Sequence, residues 1–312
     1  MSAYDRRVPT PSPDVTLRRL TPSDVPWAHR LSTQAGWNQR EEDWRAAIAM
    51  TPGASFCAVA GDALVATCIG ISYGELSWIA MMLVDPAFQR RRLGERLLLR
   101  SIDALPPTRP VGLDATAVGR LLYEQHGFAH SSQLTRWIAE GTELQTTPLE
   151  EGAGGTFTVR PVEPSDIAPI AAVDRDIFGG DRRRVLEWAF AVGSHCCAIA
   201  TIHGEIAGYV FGRPGRVFSH LGTVVARSQS IAQALVRHVA SAATAPMGID
   251  AFDSLPAWTD WLQAAGFERQ RPLARMIRPP AASPATATTT PVVEHSHPSG
   301  LQAFAIFGPE FA

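Results

Sequence analysis

Apolar and polar positions along this chain fall into alternating strand-like and helix-like stretches. Val15 to Leu20 reads as a first strand. Thr21-Pro22-Ser23-Asp24 then supplies a turn and a helix start, with Ser23 or Asp24 as cap. That helix is expected to reach about Ala35, with a second over Arg40 to Met50. Phe56 to Val59 and Leu64 to Ile71 read as a hairpin about Gly61-Asp62. An unbroken apolar run from Trp78 to Val84 follows, stopped by Asp85 and by Pro86, which has no N–H for a ladder. Leu93, Leu97, Leu98, Ile102 and Leu105 then recur at helical spacing. Val111 to Thr116 predicts another strand, Val118 to His126 a short helix closed by Gly127, and Arg136 to Ala139 a strand completing the sheet.

The second half repeats the first. Val159-Arg160-Pro161-Val162-Glu163-Pro164-Ser165-Asp166 echoes Leu17-Arg18-Arg19-Leu20-Thr21-Pro22-Ser23-Asp24, and Cys197-Ala198-Ile199 echoes Cys57-Ala58-Val59. Ile249-Asp250-Ala251 and Gly266-Phe267 echo Leu113-Asp114-Ala115 and Gly127-Phe128. Four ordered matches at nearly one offset point to a duplicated unit. The organisation expected is a loose leader over 1–14, a first domain over 15–140, a linker over 141–156 and a second domain over 157–278. A low-complexity tether over 279–300 follows, and an apolar segment over 301–312 is expected to dock back as a strand.

Composition narrows the classes. A chain of 312 residues with 46% hydrophobic content can build two cores. A net charge of −2 argues against a nucleic-acid partner. There is no lysine, so self-acetylation on a lysine side chain is excluded. Cys57, Cys68, Cys196 and Cys197 lack metal-type spacing, and the adjacent pair suits buried thiols better than a disulfide. His295 and His297 sit in the tether and are not read as a metal site; no metal is expected. No apolar run has membrane length, so no membrane partner and a cytoplasmic location are expected. No GxxxxGK[ST] pattern is present, which disfavours a P-loop enzyme.

The chemistry concentrates after the Trp78 strand. A strand that turns tightly into a helix leaves that helix's first N–H groups unpaired at the positive end of its dipole, an anion site that nearby arginines strengthen. The run Val84-Asp85-Pro86-Ala87-Phe88-Gln89-Arg90-Arg91-Arg92-Leu93-Gly94 resembles the acyl-CoA signature of the GNAT superfamily of N-acyltransferases, roughly V-x-P-x-Y/F-R/Q-x-x-G/A-x-G/A. Gln89 and Gly94 match. Arg92 stands where Gly or Ala is usual, a change that ordinary right-handed helical backbone would accommodate. The resemblance implies an α/β (α+β) fold of two tandem GNAT-like domains, each a mixed, mostly antiparallel sheet flanked by helices. The copy at the second loop, Ala226-Arg227-Ser228-Gln229-Ser230-Ile231-Ala232, lacks the glycine and the arginine cluster, so the second domain is read as degenerate.

The resemblance further implies acetyl-CoA as co-substrate, held by Gln89, Arg90, Arg91, Arg92, Leu93, Gly94 and Glu95, with a backbone N–H of Leu83 or Val84 polarising the acyl carbonyl. In LDATAVGRLLYEQHGF, Tyr123 matches the tyrosine that faces the thioester in the family and is the expected general acid; otherwise it is a packed aromatic. Glu75 is a candidate proton relay or a solvated turn residue. Asp114 is an amine anchor or a cap with Thr116. Trp261 stands at roughly the place of Tyr123 in the second copy, which is expected to close the first domain's cleft, with Arg213, Arg216, His220 and Asp250 as its polar candidates. The expected activity is acetyl transfer from acetyl-CoA to a small-molecule or peptide amine in a ternary complex, in a chain that could form a homodimer. The alternative is a non-catalytic acyl-CoA-binding or regulatory protein.

Overall fold

The computed structural model describes residues 14–140, 144, 156–243, 246–280 and 298–312. Nearly all of the leader and the expected linker and most of the tether, His295 and His297 included, lie outside the described residues. Among those described, no helix is long and apolar enough to cross a membrane.

The first half runs β1 (Val15–Arg19), α1 (Val25–Gln34), α2 (Glu41–Met50), β2 (Ser55–Ala60), β3 (Ala63–Ser72), β4 (Ser77–Val84), α3 (Leu93–Asp103), β5 (Val111–Ala115), α4 (Ala117–Gln125) and β6 (Ala129–Ala139). The second half repeats the order as β7 (Thr158–Pro161), α5 (Ile167–Phe178), α6 (Arg183–Gly193), β8 (Cys197–Ile202), β9 (Glu205–Arg213), β10 (Ser219–Ala226), α7 (Gln229–Ala240), β11 (Met247–Phe252), α8 (Pro256–Ala264) and β12 (Glu268–Arg278). The docking strand is β13 (Gln302–Ile306). The repeat extends to side-chain detail: Arg18 clasps Asp24 through two hydrogen bonds of 2.8 and 2.7 Å, and Arg160 clasps Asp166 at 2.6 and 2.8 Å.

All thirteen strands form one sheet, ordered β1-β2-β3-β4-β5-β12-β6-β11-β13-β10-β9-β8-β7. Here the pairing departs from the sequence reading. β6 does not lie beside β5. The last strand of the second half, β12, inserts between them, while β6 pairs on its other edge with β11. Each half thus lends its final strand to the other, so the boundaries at 140 and 157 mark the repeat in sequence but not two separate sheets. Both exchanged strands carry a buried arginine to the equivalent aspartate of the receiving half. Arg136 on β6 binds Asp250 at 2.7 and 2.6 Å, and Arg275 on β12 binds Asp114 at 2.9 and 2.9 Å. Such fork-to-fork pairs fix strand register as well as charge.

The cores follow the same logic. One cluster under α3 includes Leu93, Leu97, Leu98, Ile102 and Leu105, the helical stripe read from sequence, and a second lies under α7 and α8. The largest is shared by both halves: Trp44, Trp78, Ile170, Phe178, Leu186, Phe307 and Phe311 belong to one cluster built from α1, α2, α5, α6 and the C-terminal segment. At roughly 1.5–3 kcal/mol for each fully buried large apolar side chain, this common core couples the halves. The four cysteines are buried and free; burial pushes the Cys68 thiol up to about 12, which leaves it unreactive.

Beside the Arg136–Asp250 pair lies His220, also buried. Burial drives its pKa down from 6.5 to about 3, with Arg136 and Arg213 adding to the depression and Asp250 opposing it. Burial alone would raise Asp250, but Arg136 holds it at about 2. Both folded-state values lie below the unfolded ones, so both contributions are full at neutral pH. That of His220 is lost as pH falls from 6.5 towards 3, and that of Asp250 only further into acid. At about 1.4 kcal/mol per pH unit, wild-type unfolding free energy should fall by about 2–3 kcal/mol on His220's account between about pH 6.5 and pH 4.5. Denaturant titrations of His220→Gln should show that slope largely removed; an unchanged slope would contradict the assignment.

Candidate active site

β4 and β5 are parallel neighbours only at Ser77–Val111 and Trp78–Gly112, and then part. The gap opens into a cavity of about 90 Å³ lined on the strand side by Ile79, Ala80, Met81, Met82, Leu113 and Asp114. A register shift between Thr67 and Ile69 places a β-bulge opposite Met81, which takes φ +50° while its carbonyl accepts the Thr67 hydroxyl at 2.7 Å. An extra residue re-aims a strand edge. Met81 and Met82 line the cavity, whereas Leu83 and Val84, the expected donors, lie just beyond its lining.

From this strand the chain turns through Asp85–Gln89 into α3. Leu93, Gly94 and Glu95 are the first helical residues, and the first bond across the turn runs from Arg96 N–H to the Arg92 carbonyl. Helix geometry leaves the preceding amides without intrahelical acceptors, and no side chain caps them. Gly94 packs tightly on β4: a Cβ there would lie 3.0 Å from Met82 Cε and 3.4 Å from Val84 Cγ2. Arg92 does not meet the condition of right-handed helical backbone: it is left-handed at φ +58°, as is Arg90 at +61°. That conformation is the one a glycine supplies most cheaply, which accounts for the residue type usual there. Arg92 compensates by clasping Glu95 at 2.5 and 2.9 Å, and Glu95 also meets His126 Nε2 at 3.3 Å. Gln89 turns back onto the Val84 carbonyl at 3.2 Å, and the Arg91 guanidinium lies over Phe88.

Tyr123 projects from α4 into the cavity, its hydroxyl donating to Met82 Sδ at 3.4 Å. Burial raises its pKa well above the ordinary tyrosine value, so it stays protonated. Asp114 lines the same cavity, but both its oxygens are taken by Arg275, as both oxygens of Asp250 are taken by Arg136 in the other half. Its geometry is that of the strand-exchange latch. Glu75 does not reach the site. It sits on the exposed turn before β4, shared between Arg109 and Arg175 at 3.2 Å each, where it has no access to a proton inside the gap.

The rest of the wall comes from residues the sequence reading did not single out: Trp37, Gln39, Arg271, Leu273, Pro309 and Glu310. The second half does close the cleft, though not through the four side chains proposed. Arg213 stands behind the wall, binding Asp43 at 3.0 Å and pairing with Glu310. Arg216 caps the Trp37 carbonyl at 3.0 Å. His220 and Asp250 are buried at the latch. The apolar return after the tether was the available signal for Pro309 and Glu310.

The second half treats the equivalent gap differently. β10 and β11 also part after two parallel residue pairs, but β13 enters between them. Gly222 admits it, since a Cβ there would lie 2.1 Å from the Ile306 carbonyl oxygen. Trp258, Trp261 and Phe304 pack together beyond, and the Ser228 hydroxyl caps α7 by accepting the Ile231 N–H. One copy of the site is open and the other is filled by its own chain.

A family model described as acetyltransferase (GNAT) family matches residues 21–128, and one described as acetyltransferase (GNAT) domain matches residues 170–288. The chain is a tandem member of the GNAT acetyltransferase superfamily. It is 25% identical over 255 residues to the uncharacterized N-acetyltransferase YitH of Bacillus subtilis, covering 81% of this chain and 88% of that one. Its fold is shared with a GCN5-related N-acetyltransferase from Sphaerobacter thermophilus, at TM-score 0.60 and 20% identity over 85% of this chain and 95% of that one. A tandem GNAT protein from the clavulanic acid biosynthesis pathway superposes at TM-score 0.58 and 14% identity, over 87% and 100% of the two chains.

The α3 cradle makes a direct prediction. Gly94→Val should weaken CoA binding by roughly tenfold or more, because the new branch pushes α3 from β4 and crowds its amides. Arg92→Gly, which suits the left-handed backbone, should retain affinity within about threefold. Isothermal titration of the two variants checks both; the reverse order would remove the cradle from this site.

Proposed function

We propose that this acetyltransferase takes its acyl group from acetyl-CoA and delivers it to the amine of a small molecule in a direct ternary complex at the β4–β5 gap. The observation that carries this reading is the contrast between the halves. The first retains an uncapped helix N-terminus, an open gap and a protonated tyrosine, and the second has lost all three. The α3 amides suit a diphosphate, and the divergence of β4 from β5 suits an extended arm laid along an unpaired strand edge. Acetyl-CoA supplies an activated thioester carbonyl. The protein supplies the groups around it: the bulged main chain at Met81 and Met82 as donor to the carbonyl oxygen, and Tyr123 as proton donor to the leaving sulfur.

An alkyl ammonium with a pKa near 10.4 must lose a proton before it attacks, at a cost of about 4–5 kcal/mol at neutral pH. Holding amine and carbonyl in line inside a closed wall offsets part of that barrier. Atoms balance without a covalent enzyme intermediate: the nitrogen gains the acetyl carbon and gives up two protons, one ends on the sulfur, and one leaves to solvent. Transfer at a soluble cytoplasmic location is part of the proposal.

Isothermal titration should find one acetyl-CoA site per chain. Tyr123→Phe should lower kcat by roughly tenfold to a thousandfold while leaving CoA affinity within about twofold. Two equivalent sites, or no heat at millimolar acetyl-CoA, would overturn the reading; unchanged kcat would remove Tyr123 from it. A chain that binds acetyl-CoA but releases no thiol with any amine would instead be an acyl-CoA-binding protein.

A further inference from the structure

The far wall of the cavity is unusual for a surface that closes a hydrophobic gap. Glu310 is 3% exposed and lines it from the C-terminal segment. The segment is stitched down tightly: Trp78 Nε1 donates to the Pro309 carbonyl at 3.1 Å, the Tyr73 hydroxyl to the Phe311 carbonyl at 3.0 Å, and Phe311 and Ala312 N–H close a turn on Gly308. This turn holds the Glu310 side chain over Gly308, where a Cβ would meet both carboxylate oxygens at 3.1 Å. Arg213 pairs with Oε1, but Oε2 has no hydrogen-bond partner.

Two more groups on the same wall are unsatisfied. Gln39, 6% exposed, leaves its Oε1 without a donor, and Arg271 leaves its Nε without an acceptor. Buried polar groups left unpaired cost about 1–3 kcal/mol each, and these three belong to side chains that all line one cavity, so a polar molecule bound there has partners to supply. Two are acceptors and one is a cationic donor. Burial, then the neighbouring Arg136, pulls Arg271 down to about 10, which still leaves it charged at neutral pH. The other ionic groups here are already matched, Asp114 with Arg275 and Asp250 with Arg136. Asp43, Arg213 and Glu310 together carry one surplus negative charge, and Arg271 one positive.

We propose that the acceptor is a small amino acid-like zwitterion, its ammonium held by the Glu310 carboxylate and the Gln39 side-chain amide and its carboxylate by the Arg271 guanidinium. The proposal rests on the acetyl-CoA reading above and narrows the acceptor class within it. Its charge pattern is the complement of the wall: one positive group toward Glu310, one negative group toward Arg271, and no net charge. Arg271 comes from the last strand of the repeat and Glu310 from the segment beyond it, so both charged groups that recognise the acceptor come from the second half, with Gln39 added by the first.

The test uses the full chain with acetyl-CoA and measures thiol release. The probes are glycine, L-alanine and L-serine, with ethylamine and ethanolamine as matched amines that lack the carboxylate. Amino acids should show kcat/KM roughly tenfold or more above the matched amines. Arg271→Gln should erase that preference by raising the amino acid KM. Glu310→Gln should raise KM for both classes by roughly tenfold while leaving acetyl-CoA affinity within about twofold. Gln39→Leu, which leaves the Arg213 pairing intact, should raise amino acid KM in the same direction and covers the case in which the Glu310 variant fails to fold. Equal use of ethylamine and alanine, or turnover confined to other amines, would overturn this proposal and leave acetyl-CoA binding standing. Acetyl-CoA binding with no turnover of any probe would also count against it. Absence of acetyl-CoA binding would overturn the underlying reading instead.

Discussion

Two parallel strands that part leave main-chain donors and acceptors with nothing to pair to, and that debt must be met. This fold incurs it twice, once between β4 and β5 and once between β10 and β11. In the second half the chain itself meets it: β13 supplies the missing ladder, Gly222 makes room, and tryptophans seal the end. In the first half it stays open beside the uncapped end of α3 and Tyr123. The two halves of the repeat therefore present one cleft and one plug.

The same segment that plugs one cleft finishes the other. After β13 the chain crosses the shared core, packs Phe307 and Phe311 around Trp188, and presents Glu310 to the far side of the open gap. Strand exchange prepares this by carrying Arg271 and Leu273 on β12 into the first half's sheet. The Arg136–Asp250 and Arg275–Asp114 pairs hold both exchanged strands in register, and neither aspartate has an oxygen to spare. A buried pair of this kind gives little net stability, but breaking it by removing one partner leaves a stranded charge, so it acts as a strong constraint on register.

Much of this was legible in the chain. The helical stripe of α3, the basic loop, the duplication and the return of the last residues as a strand all rest on local patterns, and local patterns survive translation into structure. Tyr123 was reachable because its spacing from Gly127 is local too. What could not be read depended on pairing between distant segments. No periodicity announces that β12 rather than β6 lies against β5. Without that fact Asp114 looks free, whereas Arg275 holds it from 161 residues away. Glu75 looked well placed because it precedes β4 closely, yet the turn aims it at Arg109 and Arg175 in solvent. The bulge at Met81 and Met82 shifts the register of β4 by one residue, which only the ladder to β3 reveals. Gln39, Arg271 and Glu310 share a wall through tertiary contact alone.

The most direct test of the account is a crystal structure of the chain grown with CoA. The account predicts CoA in the first half only, its diphosphate on the N–H groups of Leu93, Gly94 and Glu95, its arm between β4 and β5, and its sulfur against Tyr123, with β13 undisturbed. CoA seated at α7 with β13 displaced, or lying across the surface without entering the β4–β5 gap, would contradict it.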